Sequence, residues 1–237
     1  MALKDALIDA GPAGLTPFVA GGTIPFGAAL LRTAARTFKG TKDDNDMTVA
    51  GFSVQPANGV VLDYDGFYVA SNKAGVPDVG RMARKGAIIN ALVICESSSN
   101  VSIVDGDYLE AAAIGDGGSY IGVLQEAGST AGEDRTLNSI AQALEDCTMT
   151  NSSYKIPASD VAIGDGTITM TSGEIATMGL TEGDYILLVD GNGAASWNRV
   201  KSLTSTVITL EFPAASALVN GDSDLVYRVF QVKAVVI

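Results

Sequence analysis

Four carboxylates have the type and spacing for acid–base work: Asp63 with Asp65, and Asp105 with Asp107. One protonated and one ionised carboxyl group make the machinery of glycoside cleavage. Each of these aspartates also lies in an Asp-Gly turn context, where a short acidic side chain serves the backbone, so turn-making is the plainer role. Trp197, beside Asn198 and Arg199, could lie under a sugar ring or fill a core or rim position. The chain contains no histidine. That excludes Ser-His-Asp and Cys-His nucleophile activation, imidazole metal ligation and a histidine base near neutral pH. The two cysteines, Cys95 and Cys147, form no Cys-x-x-Cys pair, which argues against structural zinc and thioredoxin-type redox chemistry. Cys95 ends the apolar run Ala91-Leu92-Val93-Ile94 and reads as a buried thiol. A disulfide to Cys147 is left open.

The glycine-rich loops Gly115-Asp-Gly117-Gly118 and Gly191-Asn-Gly193 do not open a helix in the dinucleotide pattern. No phosphate loop and no Gly-x-Ser-x-Gly elbow occurs. The loop from Lys42 to Asp46 has carboxylates enough to attract calcium but lacks the alternating ligands of an EF-hand. No cofactor and no metal is expected. The longest apolar run, 87–95, is about half the ~20 residues that span a bilayer, and the first residues lack the apolar middle of a signal peptide. The expectation is a soluble chain made in a cytoplasm, with no membrane partner. Asn100-Val-Ser102 and Asn151-Ser-Ser153 then match glycosylation acceptors by chance.

Charge is divided along the chain. Residues 1–85 carry nine Lys/Arg against eight Asp/Glu, net +1, and residues 86–237 carry six against nineteen, net −13, which sums to −12. Such a chain is repelled by nucleic acid over most of its surface. The basic cluster Arg32, Arg36, Lys39 and Lys42 reads either as a solvated strand face and loop or as a docking patch for an acidic protein surface.

The elements that must hold these residues are mainly strands. Short apolar runs separated by Gly, Asp, Asn and Pro predict strands at 28–33, 48–54, 66–71, 87–95, 108–112 and 120–126. A second series follows at 167–171, 185–189, 198–203, 207–211, 225–230 and 231–237. Leu137, Ile140, Ala141 and Leu144 make one apolar stripe at helical spacing, which predicts a helix near 136–146 with Thr136 as its cap. Lys4 to Ala10 could form two short helical turns. Pro17 suits an edge strand within the apolar piece 15–20. Val104-Asp-Gly-Asp-Tyr-Leu109 and Thr181-Glu-Gly-Asp-Tyr-Ile186 repeat a turn grammar, with Gly supplying the positive φ and Tyr opening a strand.

The order of these pieces resembles the head decoration, or capsid cement, proteins of tailed viruses. Gly22-Thr-Ile-Pro-Phe-Gly-Ala-Ala-Leu-Leu31 is similar to their opening strand, and Val49-Ala-Gly-Phe-Ser-Val54 to a strand that follows. Gly86-Ala-Ile-Ile-Asn-Ala-Leu-Val93 with Val104-Asp-Gly-Asp-Tyr-Leu109 resembles their strand and Gly-Asp turn. Arg135-Thr-Leu-Asn-Ser-Ile-Ala-Gln-Ala-Leu-Glu-Asp146 is similar to their closing helix and is the most specific piece. The likeness covers roughly residues 20–147.

What the resemblance implies is a mainly β fold with a tulip- or barrel-like core, to which the helical stripe adds one short packed helix; the strand series beyond residue 150 falls outside the resemblance and reads as a second small β-barrel or sandwich. The expected divisions are an N-terminal arm over 1–21, a decoration core over 22–149 and an added β domain over 150–237, with 148–153 as linker. The implied function is non-enzymatic. The protein would sit as a homotrimer on the outer surface of an icosahedral head, with the major capsid protein as partner, and would stabilise the shell. Leu15, Pro17, Phe18, Arg32, Arg36 and Lys39 are the expected docking residues. The alternatives are a tail-tube or other virion subunit, and a carbohydrate-binding β module.

Overall fold

The computed structural model describes residues 6–42, 49–56, 62–95, 101–112, 121–127, 139–150, 153–192, 194–220 and 224–237. Among them the fold is mainly β, with one short helix. Residues 43–46 of the calcium-attracting loop, Gly115 to Gly118, and Arg135 to Asn138 of the expected helix lie outside the described residues, as do Asn100 and Asn151.

Strands β2 (Leu15–Ala20), β4 (Ala29–Ala34), β5 (Thr37–Gly40), β6 (Val49–Val54) and β8 (Val79–Ala83) close into a barrel in the order β2-β5-β4-β6-β8. The closing contact is parallel, Val19 opposite Thr37 and Ala20 opposite Phe38. On its other side β2 runs antiparallel to β8 over five residues. Side chains alternate along each strand, so Phe18, Ala20, Leu30, Phe38 and Met82 fill the interior. A short ribbon of β3 (Ile24–Pro25) and β7 (Phe67–Tyr68) lies beside the barrel.

A second ring is built from β9 (Ile88–Val93), β11 (Tyr108–Ala111), β12 (Leu124–Glu126), β13 (Ala141–Ala143) and β21 (Phe230–Val236). Pairings β9–β12, β12–β11, β11–β13, β13–β21 and β21–β9 return to their start, so this sheet too is closed. Its inward residues are Ile89, Ala91, Val93, Leu109, Ala111, Leu124, Ala141, Ala143, Val232, Ala234 and Val236. Five of these eleven are alanine, as a narrow ring requires, because larger side chains from five strands cannot share so small an interior. Strand β1 (Leu7–Asp9) pairs with β9, and β10 (Val101–Ile103) with β14 (Cys147–Met149).

The third unit is a six-stranded sheet in the order β15-β20-β17-β18-β19-β16. Its strands are β15 (Tyr154–Lys155), β16 (Thr167–Thr169), β17 (Tyr185–Val189), β18 (Ala195–Leu203), β19 (Val207–Leu210) and β20 (Leu225–Arg228). Helix α1 (Glu174–Met178), set between left-handed Gly173 and Gly179, buries Ile175 and Met178 against this sheet. Strand β17 is buried at every residue. Ile186 and Leu188 face the unit's own core, while Tyr185, Leu187 and Val189 join the first barrel's core. A five-residue apolar run without alternation fits this double burial.

Several expectations change. The segment 15–20 is no arm, because β2 is one wall of the first barrel and needs β5 and β8 for its backbone hydrogen bonds. Pro17 does sit in a half of β2 that has β8 on one side and no strand on the other, so its missing N–H costs no ladder bond. Leu7–Asp9 is extended and not helical. The described part of the 136–146 segment is a strand, not a helix. Ala141-Gln142-Ala143 fits a period of two as well as a helical stripe, and β11 and β21 supply hydrogen-bonding partners on both sides. Among the described residues the single helix is α1, elsewhere in the chain. The 148–153 linker begins inside β14. The region 150–237 is not one separate domain, since its final strand returns to complete the second ring and the third unit is inserted between β14 and β21.

The turn grammar is broader than the two copies the sequence displays. In Val104–Asp107, Ala162–Asp165, Thr171–Glu174 and Thr181–Asp184 the fourth residue's N–H donates to the first residue's carbonyl, at 3.0–3.1 Å. Its carboxylate in turn accepts from the first residue's N–H, at 2.8–3.0 Å. The third residue is glycine each time, with φ between 89 and 97°, which a side chain would strain. These acids are spent on two-way clamps around the backbone.

The units meet without a gap. Gly122, at φ 74°, donates its N–H to Thr41 O and accepts from Ala29 N. A Cβ there would lie 2.7 Å from Ala29 O, so only glycine lets the two barrels approach this closely. Tyr185 donates to Gly66 O at 2.6 Å, and its ring meets that of Phe67 edge-on at 5.2 Å. Tyr68 donates to Val54 O at 2.7 Å. Burial away from water pushes both phenols well above the ordinary tyrosine value of about 10. A proton held more tightly by the folded state gives stability that is complete below about pH 10 and is lost as pH rises beyond it. The unfolding free energy from urea titrations should therefore stay level up to about pH 9 and then drop, by at most about 1.4 kcal/mol per pH unit for each phenol. The drop should be shallower in a Tyr185→Phe variant measured against its own neutral-pH value.

Candidate functional site

A concavity of about 470 Å³ opens at one end of the first barrel. It is large enough for two or three side chains of a ligand and falls in the usual range of binding clefts. The strands place its walls by register. Thr16 lies opposite Met82, Phe18 opposite Gly80, Ala20 opposite Phe38, and Arg32 opposite Phe38. Paired residues share a sheet face, so Thr16, Phe18, Phe38 and Met82 lie on the interior face, and exposed Arg32 continues that face at the open end. The opening exists because β2 has β5 beside it only at Val19 and Ala20. Below that point the wall is missing and the interior is reached from outside.

The floor is apolar. Phe18, Phe38 and Met82 are buried, with the Phe18 ring edge-on to Phe38 at 6.0 Å and to Tyr68 at 5.3 Å. The rim is cationic. Arg32 projects from the end of β4, Arg36 from the tight turn between β4 and β5 at φ 63°, and Arg84 from just past β8. Arg32 Nε donates to Ala34 O at 3.3 Å, which holds that side chain along the rim. Val79, 65% exposed, and exposed Pro17 complete the rim. Among the described residues no acidic one lines the cup.

Of the expected docking residues, Pro17, Phe18, Arg32 and Arg36 come together here. Phe18 serves as floor, not as an exposed anchor. Leu15 does not join them and packs against the second ring's core. Lys39 lies opposite Leu31, on the face of β5 that points away from the cup. Arg84, Val79 and Met82 were missed. For Met82 and Arg84 the signal was the alternation Gly80, Met82, Arg84, disguised by the glycine and by Arg81 within the strand, while Val79 lies on the other face at the strand's first residue.

The other candidate chemistry is dispersed. Asp63 accepts the Lys73 N–H at 2.5 Å, Asp65 pairs with Arg199, and Asp107 clamps its turn. The Asp105 N–H donates to the Asp146 carboxylate. Trp197 is 3% exposed and donates Nε1–H to Ile121 O at 2.8 Å, so it offers no platform for a sugar. Cys95 is buried, Cys147 is half-buried, and no disulfide joins them. Among the described residues no group of three or more Cys, Asp or Glu is placed to hold a metal ion, and no helix is long and apolar enough to cross a membrane. The chain matches no protein-family model and no curated protein.

Proposed function

We propose that the protein is a virion structural component, a decoration protein that binds the outer surface of an icosahedral head as a trimer, stabilises it and catalyses no reaction. The observation that carries this reading is the convergence of Pro17, Phe18, Arg32 and Arg36 around one open, apolar, arginine-rimmed cup. The strands at 29–34, 49–54 and 88–93 and the turn at Val104–Asp107 fall on the pieces that resemble decoration proteins, and the described residues of the most specific piece, the closing helix, hold a strand at Ala141–Ala143 and no helix. The charge division also suits the role, since a basic cup stands out on a chain whose remainder is strongly acidic. Repeated footprints on a symmetric shell would add avidity to a weak single contact.

The test is to add purified protein to undecorated heads and image the particles. Density on the outer head surface and a raised temperature of genome release are the expected results. Density confined to the tail would replace this reading with a tail-tube or baseplate role. Saturable binding to a glycan array without binding to particles would replace it with a carbohydrate-binding module.

A further inference from the structure

We propose that the cup recognises an acidic peptide segment in which one bulky apolar side chain is flanked by carboxylates. The inference rests on the docking reading and adds the chemistry of the partner. Three observations carry it.

The first is unanswered charge. Arg32, Arg36 and Arg84 surround one opening, and no carboxylate among the described residues pairs with any of them. The ion pairs Arg199–Asp65 and Arg228–Asp184 involve no residue that lines the cup. Three like charges on one rim repel each other, and an anionic ligand relieves that repulsion. Guanidinium groups match carboxylates with paired, directional hydrogen bonds.

The second is the floor. Phe18, Phe38 and Met82 offer an apolar, weakly hydrated base, and exposed Val79 and Pro17 extend it outward. Seating an apolar side chain there excludes water from the arginine–carboxylate contacts around it. Shielded contacts of this kind dominate binding energy at interfaces, while exposed pairs contribute little. Methionine adds an adaptable surface for the inserted group.

The third is shape and setting. The cup is open along its missing wall, so it takes a segment lying across it and does not enclose a free alkyl chain. The rim gathers three of the fifteen Lys/Arg of a chain whose net charge is −12. A nucleic-acid strand needs a longer basic track with exposed stacking rings, and the rings here are buried in the floor.

The experiment uses the full chain and three labelled hexapeptides with blocked ends, read by fluorescence anisotropy. They are Asp-Glu-Ser-Phe-Asp-Glu, its amide counterpart Asn-Gln-Ser-Phe-Asn-Gln, and the anchorless Asp-Glu-Ser-Ser-Asp-Glu. The first should bind saturably and at least about tenfold more tightly than either of the others, and more weakly as salt rises from about 0.05 to about 0.3 M. Arg32→Glu with Arg84→Glu should weaken it by about tenfold or more. Arg36→Glu, at an exposed turn, should act in the same direction without threatening the fold. Lys201→Glu, on the third unit, should leave it unchanged. Equal binding of all three peptides, or binding untouched by the rim variants, would overturn the proposal. So would preferential binding of decanoate or a single-stranded oligonucleotide at the same rim. Peptide binding without attachment to particles keeps this inference and removes the virion reading. Attachment to particles with no peptide binding does the reverse.

Discussion

Deleting residues 230–237 should leave a protein that cannot complete its second ring. Strand β21 pairs with β9 along six residues and with β13 along three, so its loss strips hydrogen-bond partners from two strands at once. It also removes Val232, Ala234 and Val236 from the core. Their burial alone is worth about 4 kcal/mol, a large share of the ~5–15 kcal/mol that holds an ordinary domain together. Opening the ring creates two unpaired edges, which invite aggregation. The shortened chain should be insoluble or bind a hydrophobic dye strongly, with the β signal in circular dichroism reduced. A soluble, monomeric product with an unchanged spectrum would show that the ring does not depend on this strand. Val235→Thr, on the outward face of the same strand, should be nearly silent and separates a packing effect from a general sensitivity of the region.

Trp197→Ala should cost about 3–5 kcal/mol. The indole is 3% exposed, lies 6.1 Å from the Tyr185 ring, and donates to Ile121 O from across the seam between the third unit and the barrels. Truncation leaves a void, and the Ile121 carbonyl loses its donor. Trp197→Phe keeps most of the volume and removes only the N–H, so it should cost about 1–3 kcal/mol. Since this is the chain's one tryptophan, native emission should be blue-shifted and should move to the red on unfolding. The alanine variant is followed by circular dichroism in urea. If it matches the intact protein within about 0.5 kcal/mol, the seam contributes nothing to stability.

The strand content was legible because local patterns and tertiary demands agree for most of the chain. Tyr185–Val189 is a run of branched and aromatic residues that no other element type would use so well, and it is a strand over the very residues expected. The segment at 141–143 was misread because three residues cannot distinguish a period of two from one of 3.6. The hydrogen bonds that decide it come from β11 and from β21, the latter paired from more than ninety positions further along. The role of β2 was hidden for the same reason, since a piece with a proline and two nearby glycines reads as loose until its partners β5 and β8 are known. Half of the cup was visible as a basic cluster beside an apolar piece. The rest comes from β8, whose contribution depends on which face of a strand points inward, and that is fixed by barrel closure alone.

The insertion of the third unit between β14 and β21 has a bearing on synthesis. All five strands of the first barrel emerge within residues 15–83, so that barrel can form while the ribosome is still at work. The second ring has β9 and β13 in hand long before its keystone is translated, and its alanine-lined interior stays unsealed until the third unit has been made. Ribosome-bound intermediates should then protect the first barrel from protease early and the second only on release, so a prematurely terminated product exposes an open seam that marks it for degradation.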